Sequence, residues 1–124
     1  MGTIKFRAKR IDNGEWVFGG YSYCEKDNTH YITVMGKDHI SHIGFHQQVY
    51  PETIGQFIGL YDRNGKEIYE GDIIKLGNGQ VRFVFYGCSE FKHTAYGKVA
   101  KNFDYKDKGY EVIGNIYENK ELIG

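Results

Sequence analysis

Apolar and polar positions alternate with a period of two at the start of the chain. Ile4, Phe6 and Ala8 are interleaved with Lys5, Arg7 and Lys9, the pattern of a strand with one dry face and one wet face. Asp12-Asn13-Gly14 supplies turn chemistry, because Asn and Gly tolerate positive φ, and Glu15-Trp16-Val17-Phe18 resumes the alternation, which predicts a β-hairpin. Gly19-Gly20 interrupts the run before Tyr21 to Cys24, Lys26-Asp27-Asn28 marks a further turn, and His30 to Met35 reads as another strand. From Gly36 to His46 the pattern weakens, and the single proline, Pro51, closes the region at a boundary.

Beyond Pro51 the punctuation is dense. Ile54 to Leu60 is strand-like, Asp62-Arg63-Asn64-Gly65 is a turn with Gly placed for a left-handed residue, and Lys66 to Tyr69 pairs back. Glu70-Gly71-Asp72 turns into Ile73 to Leu76, and Gly77-Asn78-Gly79 turns into Gln80 to Tyr86. Residues 87–109 are polar and poorly periodic, with Lys92, Lys98, Lys101, Lys106 and Lys108 against Glu90, Asp104 and Asp107, which predicts a mobile or variable segment. A last strand runs from Tyr110 to Tyr117, and Asn119 is placed to cap a short turn through Leu122. Short strands at close spacing predict an all-β chain, with an N-terminal β-hairpin region over residues 1–50 and a small barrel or roll over residues 51–124.

Composition agrees with strands. Eleven Tyr and eight Phe in 124 residues suit a pleated, half-buried surface, and a chain of this length buries a core without disulfides or metals. Sixteen basic against sixteen acidic residues exclude the global field of a strongly cationic nucleic-acid binder. Cys24 and Cys88 stand far apart with no signal-peptide pattern at the N-terminus, so they are read as free thiols in a reducing cytoplasm. No apolar run approaches the roughly 20 residues of a membrane helix, and no membrane association is expected.

Candidate chemistry is sparse. His39, His42 and His46, with Asp38 adjacent, have the most metal-like spacing in the chain. On a helix the three rings share a face, but Gly36, Gly44 and β-branched neighbours oppose a helix, and on a strand His39 points away from the other two. Cys24 with His30, or Cys88 with His93, lacks the tight paired spacing of zinc motifs. No Walker A loop, dinucleotide fingerprint or Gly-x-Ser-x-Gly elbow is present. Lys5, Arg7, Lys9 and Arg10 form a basic stripe with no acid among the first ten residues. Beside exposed tyrosines such a stripe suits a phosphate backbone and its bases; the plainer reading is an edge strand protected from aggregation by charge.

Three blocks carry a family resemblance. Thr53-Ile54-Gly55-Gln56-Phe57, Gly59-Leu60 and Asp62 to Ile73 form the central one; Phe6-Arg7-Ala8 with Asp12 to Gly19 precedes it, and Tyr110 to Asn119 follows. In this order they resemble the YopX-like proteins of phages and prophages. The resemblance implies phage or prophage origin, a mostly-β structure with a small SH3-like barrel in the C-terminal part, and no established activity, so no catalytic or binding residue is carried over. Ile58 departs from the pattern, which has a polar residue such as Thr there, and the stretches 25–48 and 87–109 lie outside the blocks that carry the resemblance. The glycines and acids of the central block read as turn chemistry, since Asp bonds backbone two residues on.

The resulting expectation is a non-catalytic accessory module, without catalytic residues, metal or cofactor, that binds a protein or nucleic-acid partner, with self-association as a further possibility. The alternative is a small metal-dependent hydrolase built on His39, His42 and His46.

Overall fold

A computed structural model describes residues 4–34 and 46–124, and the chain divides into two compact units, Met1–Gln56 and Phe57–Gly124. Among the described residues the regular structure is antiparallel β, with 3-10 turns at Pro51–Thr53 and Lys120–Leu122 as the helical elements.

The first unit contains β1 (Phe6–Lys9), β2 (Trp16–Cys24), β3 (Thr29–Thr33), β4 (His46–Gln48) and the first residues of β5 (Gly55–Tyr61). The predicted hairpin forms, with Phe6 opposite Gly19 and Lys9 opposite Trp16. β3 continues the ladder from β2, and β4 from β3. On its other side β1 pairs with β5, Phe6 opposite Gln56 and Arg7 opposite Gly55. β1 is therefore a central strand, which corrects the edge-strand reading of its charges. Ala8, Ile32 and Val49 form the buried centre, with Phe6, Val17, Val34 and Ile54 packed around it. Gly19 sits so close to the Thr33 carbonyl that a Cβ there would lie 2.0 Å from the oxygen.

In the second unit the remainder of β5 pairs with β6 (Glu67–Tyr69), with a register shift between Phe57 and Tyr61. β7 (Asp72–Lys75), β8 (Val81–Gly87), β9 (Glu90–Thr94), β10 (Lys101–Asn102) and β11 (Glu111–Asn115) form a sheet in the order β10-β9-β8-β7-β11. The ladder has two ends, at β10 and β11, and among the described residues it does not close into a hydrogen-bonded barrel. Ile58, Ile68, Ile74, Val84, Phe103 and Tyr110 form the core, flanked by Leu60, Leu76, Phe91 and Val112. The departure at position 58 is thereby explained, because this side chain faces apolar neighbours.

Two expectations change. Residues 87–109 include β9 and β10, whose alternation is hidden because Lys92 and His93 occupy strand positions where apolar residues signal a strand. Asn119 stands at the N-cap position of the last turn, as expected, but its side chain makes no capping bond there. Its side chain instead accepts the Asn115 amide at 3.0 Å, closing the bend after β11.

Candidate functional site

The basic stripe is held by its own strand neighbours. Lys9 lies opposite Trp16 and Arg7 opposite Phe18 in the β1–β2 register, so these side chains share one face of the pleat. Arg7 is only 6% exposed, with its guanidinium carbon 4.6 Å from the Trp16 ring centroid and the Lys9 ammonium 5.5 Å from the same ring. Arg10 grips Asp12 with two bonds, Nε to Oδ1 at 2.9 Å and Nη2 to Oδ2 at 2.6 Å, and this pairing holds the Asp12 carboxyl below its ordinary value. Lys5, just before β1, is half-buried. The expectation that Lys5, Arg7 and Lys9 line a solvent face fails at Arg7, because the Trp16 indole on the neighbouring strand lies over this face and the Arg stem packs on it.

Of the candidate metal ligands, His39 and His42 lie outside the described residues. His46 opens β4, its Nδ1 2.9 Å from the Thr33 hydroxyl. Cys24 and Cys88 are free thiols. Tyr23 pairs with His30 and Cys24 with Thr29, so Cys24 and His30 point to opposite faces. His93 lies opposite Val84, and Cys88 lies in the turn beyond the last pair, Gly87 with Glu90; three strand residues, Glu90 to Lys92, separate His93 from that turn, roughly 10 Å of strand. Among the described residues no group of three or more His, Cys, Asp and Glu side chains is arranged to hold a metal ion.

The acids of the central block are occupied by backbone. Asp62 is buried and accepts three amides: Asn64 at 2.8 Å and Lys66 at 2.9 Å on Oδ1, and Val112 at 2.9 Å on Oδ2. Burial pushes its pKa up, but these bonds more than offset that and leave it below the ordinary carboxylate value. Asp72, also buried, accepts the Tyr69 amide at 2.7 Å. Backbone bonding, within a turn for Asp72 and both within a turn and across to β11 for Asp62, accounts for both residues.

Two features of the second unit escape sequence reasoning. Arg82 and His93, 2% and 3% exposed, meet with Arg82 Nε donating to His93 Nδ1 at 2.8 Å, while Nη2 donates to the carbonyls of His93 and Val99 at 3.2 and 2.6 Å. Burial, then the positive charges of Arg82 and Lys101, lowers the His93 pKa to about 4. The neutral imidazole thus serves as an acceptor, and the guanidinium ties the approach to β10 onto the sheet.

The second feature is a pair of surface cavities that share Tyr105. One, about 220 Å³, is lined by Tyr86, Ser89, Glu90, Phe91, Asn102, Phe103 and Tyr105. The other, about 320 Å³, has Leu60, Tyr61, Tyr105 and Tyr110 as its apolar walls and Asp107 and Lys108 among its charges. Tyr61, Tyr86 and Tyr105 are all exposed. In sequence they are three tyrosines among eleven, and only the β8–β9 register, with Tyr86 opposite Phe91, groups two of these walls.

Comparison with known proteins places the chain in a family. No curated protein matches it. Among solved structures, the crystal structure of protein EF1440 from Enterococcus faecalis is similar, with a TM-score of 0.60 and 23% sequence identity over 100% of both chains; at that identity the likeness speaks for the fold. Residues 5–124 match the family described as YopX protein, and with nearly its whole length inside that match the chain belongs to the YopX family.

Proposed function

We propose that this protein is a non-catalytic accessory module of a phage or prophage, acting in the cytoplasm of its bacterial host by binding a protein partner, with its second unit as an open, SH3-like roll. The observation that carries this reading is the pairing of exposed aromatics with occupied acids. Tyr61, Tyr86 and Tyr105 stand in solvent beside surface cavities, whereas Asp62 and Asp72, the buried carboxylates available to a catalytic pair, accept backbone amides. Aromatic side chains of this kind provide contact area at little entropic cost and dominate binding hot spots.

A protein partner is favoured over nucleic acid because Arg7, Lys9 and Arg10 are engaged by Trp16 and Asp12, leaving fewer cations directed at a phosphate backbone. The test is capture of partners by the tagged full chain from infected or lysogenic cells, with and without nuclease. A protein retained at constant stoichiometry after nuclease treatment is expected. Capture that vanishes with nuclease would instead return the function to nucleic acid and to Lys5, Arg7, Lys9 and Arg10. Divalent-metal-dependent hydrolysis abolished by replacing His39, His42 and His46 would establish the enzyme reading.

A further inference from the structure

We infer that the cavity between Tyr86 and Tyr105 receives a lysine or arginine side chain from an extended segment of the protein partner. This rests on the binding-module reading and assigns it a site. Four aromatic residues, Tyr86, Phe91, Phe103 and Tyr105, contribute to the wall of the 220 Å³ space, and Glu90 supplies a carboxylate to the same lining. Aromatic faces carry negative quadrupole potential and attract ammonium and guanidinium groups, and a carboxylate adds charge selectivity. The volume suits the end of one long side chain, below the usual range for a complete small-molecule ligand.

The walls are fixed before any partner arrives. Tyr86 and Phe91 meet edge to face with centroids 5.1 Å apart. Phe103 stands edge to face against both His93, at 4.9 Å, and Tyr110, at 5.1 Å. Tyr105 is 71% exposed, yet the chain on both sides of it is held: the Asp104 amide donates to Tyr110 Oη at 2.9 Å, the Lys106 amide to Asp104 Oδ1 at 2.9 Å and the Asp107 amide to the Asp104 carbonyl at 3.0 Å. Arg82 anchors the approach to β10 through the Val99 carbonyl. Such preorganisation lowers the entropic cost of binding.

Charge supports a cationic occupant. Glu90 lines the first cavity and Asp107 the second, against Lys108 in the second. Lys92 lies outside the lining, donating to Asn102 Oδ1 at 2.5 Å and standing 3.4 Å from Glu90, whose side chain is 55% exposed and so within reach of an incoming cation. The second cavity, which shares Tyr105 with the first, gives the neighbouring residues of an extended peptide a place to lie against Leu60 and Tyr61. Apart from Tyr86, the lining of this cavity falls within residues 87–109, outside the three blocks that carry the family resemblance.

The experiment titrates the full chain with fluorescent twelve-residue peptides alternating Ser with Lys, Arg, Glu or Leu, read by anisotropy and by amide chemical shifts. Saturable binding of the Lys or Arg peptide is expected, with shifts centred on Tyr86, Ser89–Phe91 and Asn102–Tyr105. Glu90→Gln should weaken it about fivefold and Tyr105→Ala about tenfold. Both side chains are exposed, and unchanged thermal melting would confirm that the variants fold. Equal binding of the Glu or Leu peptide, no saturable binding of either cationic peptide, shifts centred elsewhere, or unaltered affinity in both variants would overturn the site. A cellular partner captured equally well by the double variant would also overturn it, while leaving the binding-module reading in place.

Discussion

Asp62 shows how one side chain can hold together segments distant in sequence. Its two oxygens serve the Asn64 and Lys66 amides of its own turn and the Val112 amide fifty residues away. Asp62→Ala strands three partly buried donors, and a loss of about 2–4 kcal/mol is expected, since each unsatisfied buried group costs about 1–3 kcal/mol and water recovers part of it. Chemical denaturation would measure this, and a change below about 1 kcal/mol would show that Asp62 does not clamp β11. Arg7 carries a different lesson. Its charge was legible, but its place on Trp16 was not, so Arg7→Gln should cost about 1–2 kcal/mol through lost cation–π contact and stem packing. A melting temperature matching the native protein would mean that the guanidinium contributes nothing to the first unit.

At the scale of elements, the turns were read more reliably than the strands they join. Asp62-Arg63-Asn64-Gly65 forms as expected, with Gly65 at φ 81° and its amide bonded to the Asp62 carbonyl at 3.0 Å. A Cβ at Gly65 would meet no atom within 4 Å, whereas one at Gly19 would meet the Thr33 backbone at 2.0 Å. Two distinct penalties follow. Gly65→Val acts through backbone strain of about 1–3 kcal/mol. Gly19→Ala must push β2 and β3 apart, and a loss of about 2 kcal/mol or more is expected from a rigid backbone obstacle. Paired denaturation curves test both, and wild-type stability in Gly19→Ala would show that the two strands separate freely. The strands β9 and β10 escaped detection for a related reason. The buried position of β9 is filled by His93, and both residues of β10, Lys101 and Asn102, are exposed, so hydropathy alone shows no alternation.

At the scale of the whole molecule, His93 makes stability depend on acid. Its pKa is about 4 in the fold against an ordinary 6.5, so the unfolded chain takes up the proton first. The associated stability is fully present above about pH 6.5, declines as pH falls through the window to about 4, and amounts to about 3 kcal/mol. His93→Gln retains an acceptor for Arg82 without titrating, so the difference in stability between the two proteins should vary over that window and stay flat above it. A constant difference from pH 7 to pH 4 would show that His93 accepts a proton without cost. Sequence by itself determined the all-β class, the turn chemistry and the family blocks, because period-two alternation and Gly/Asn/Asp turns are local properties of a pleated chain. Tertiary structure alone decided that β1 is central, that Arg7 rests on an indole, that Arg82 and His93 share a buried bond, and that Tyr86, Phe91, Phe103 and Tyr105 surround one cavity. The place of β1 depends on its pairing with β5, a strand distant in sequence, and the burial of Arg7, Arg82 and His93 depends on what packs over the faces of their strands. Local alternation and turn chemistry fix hairpin register but encode neither of these.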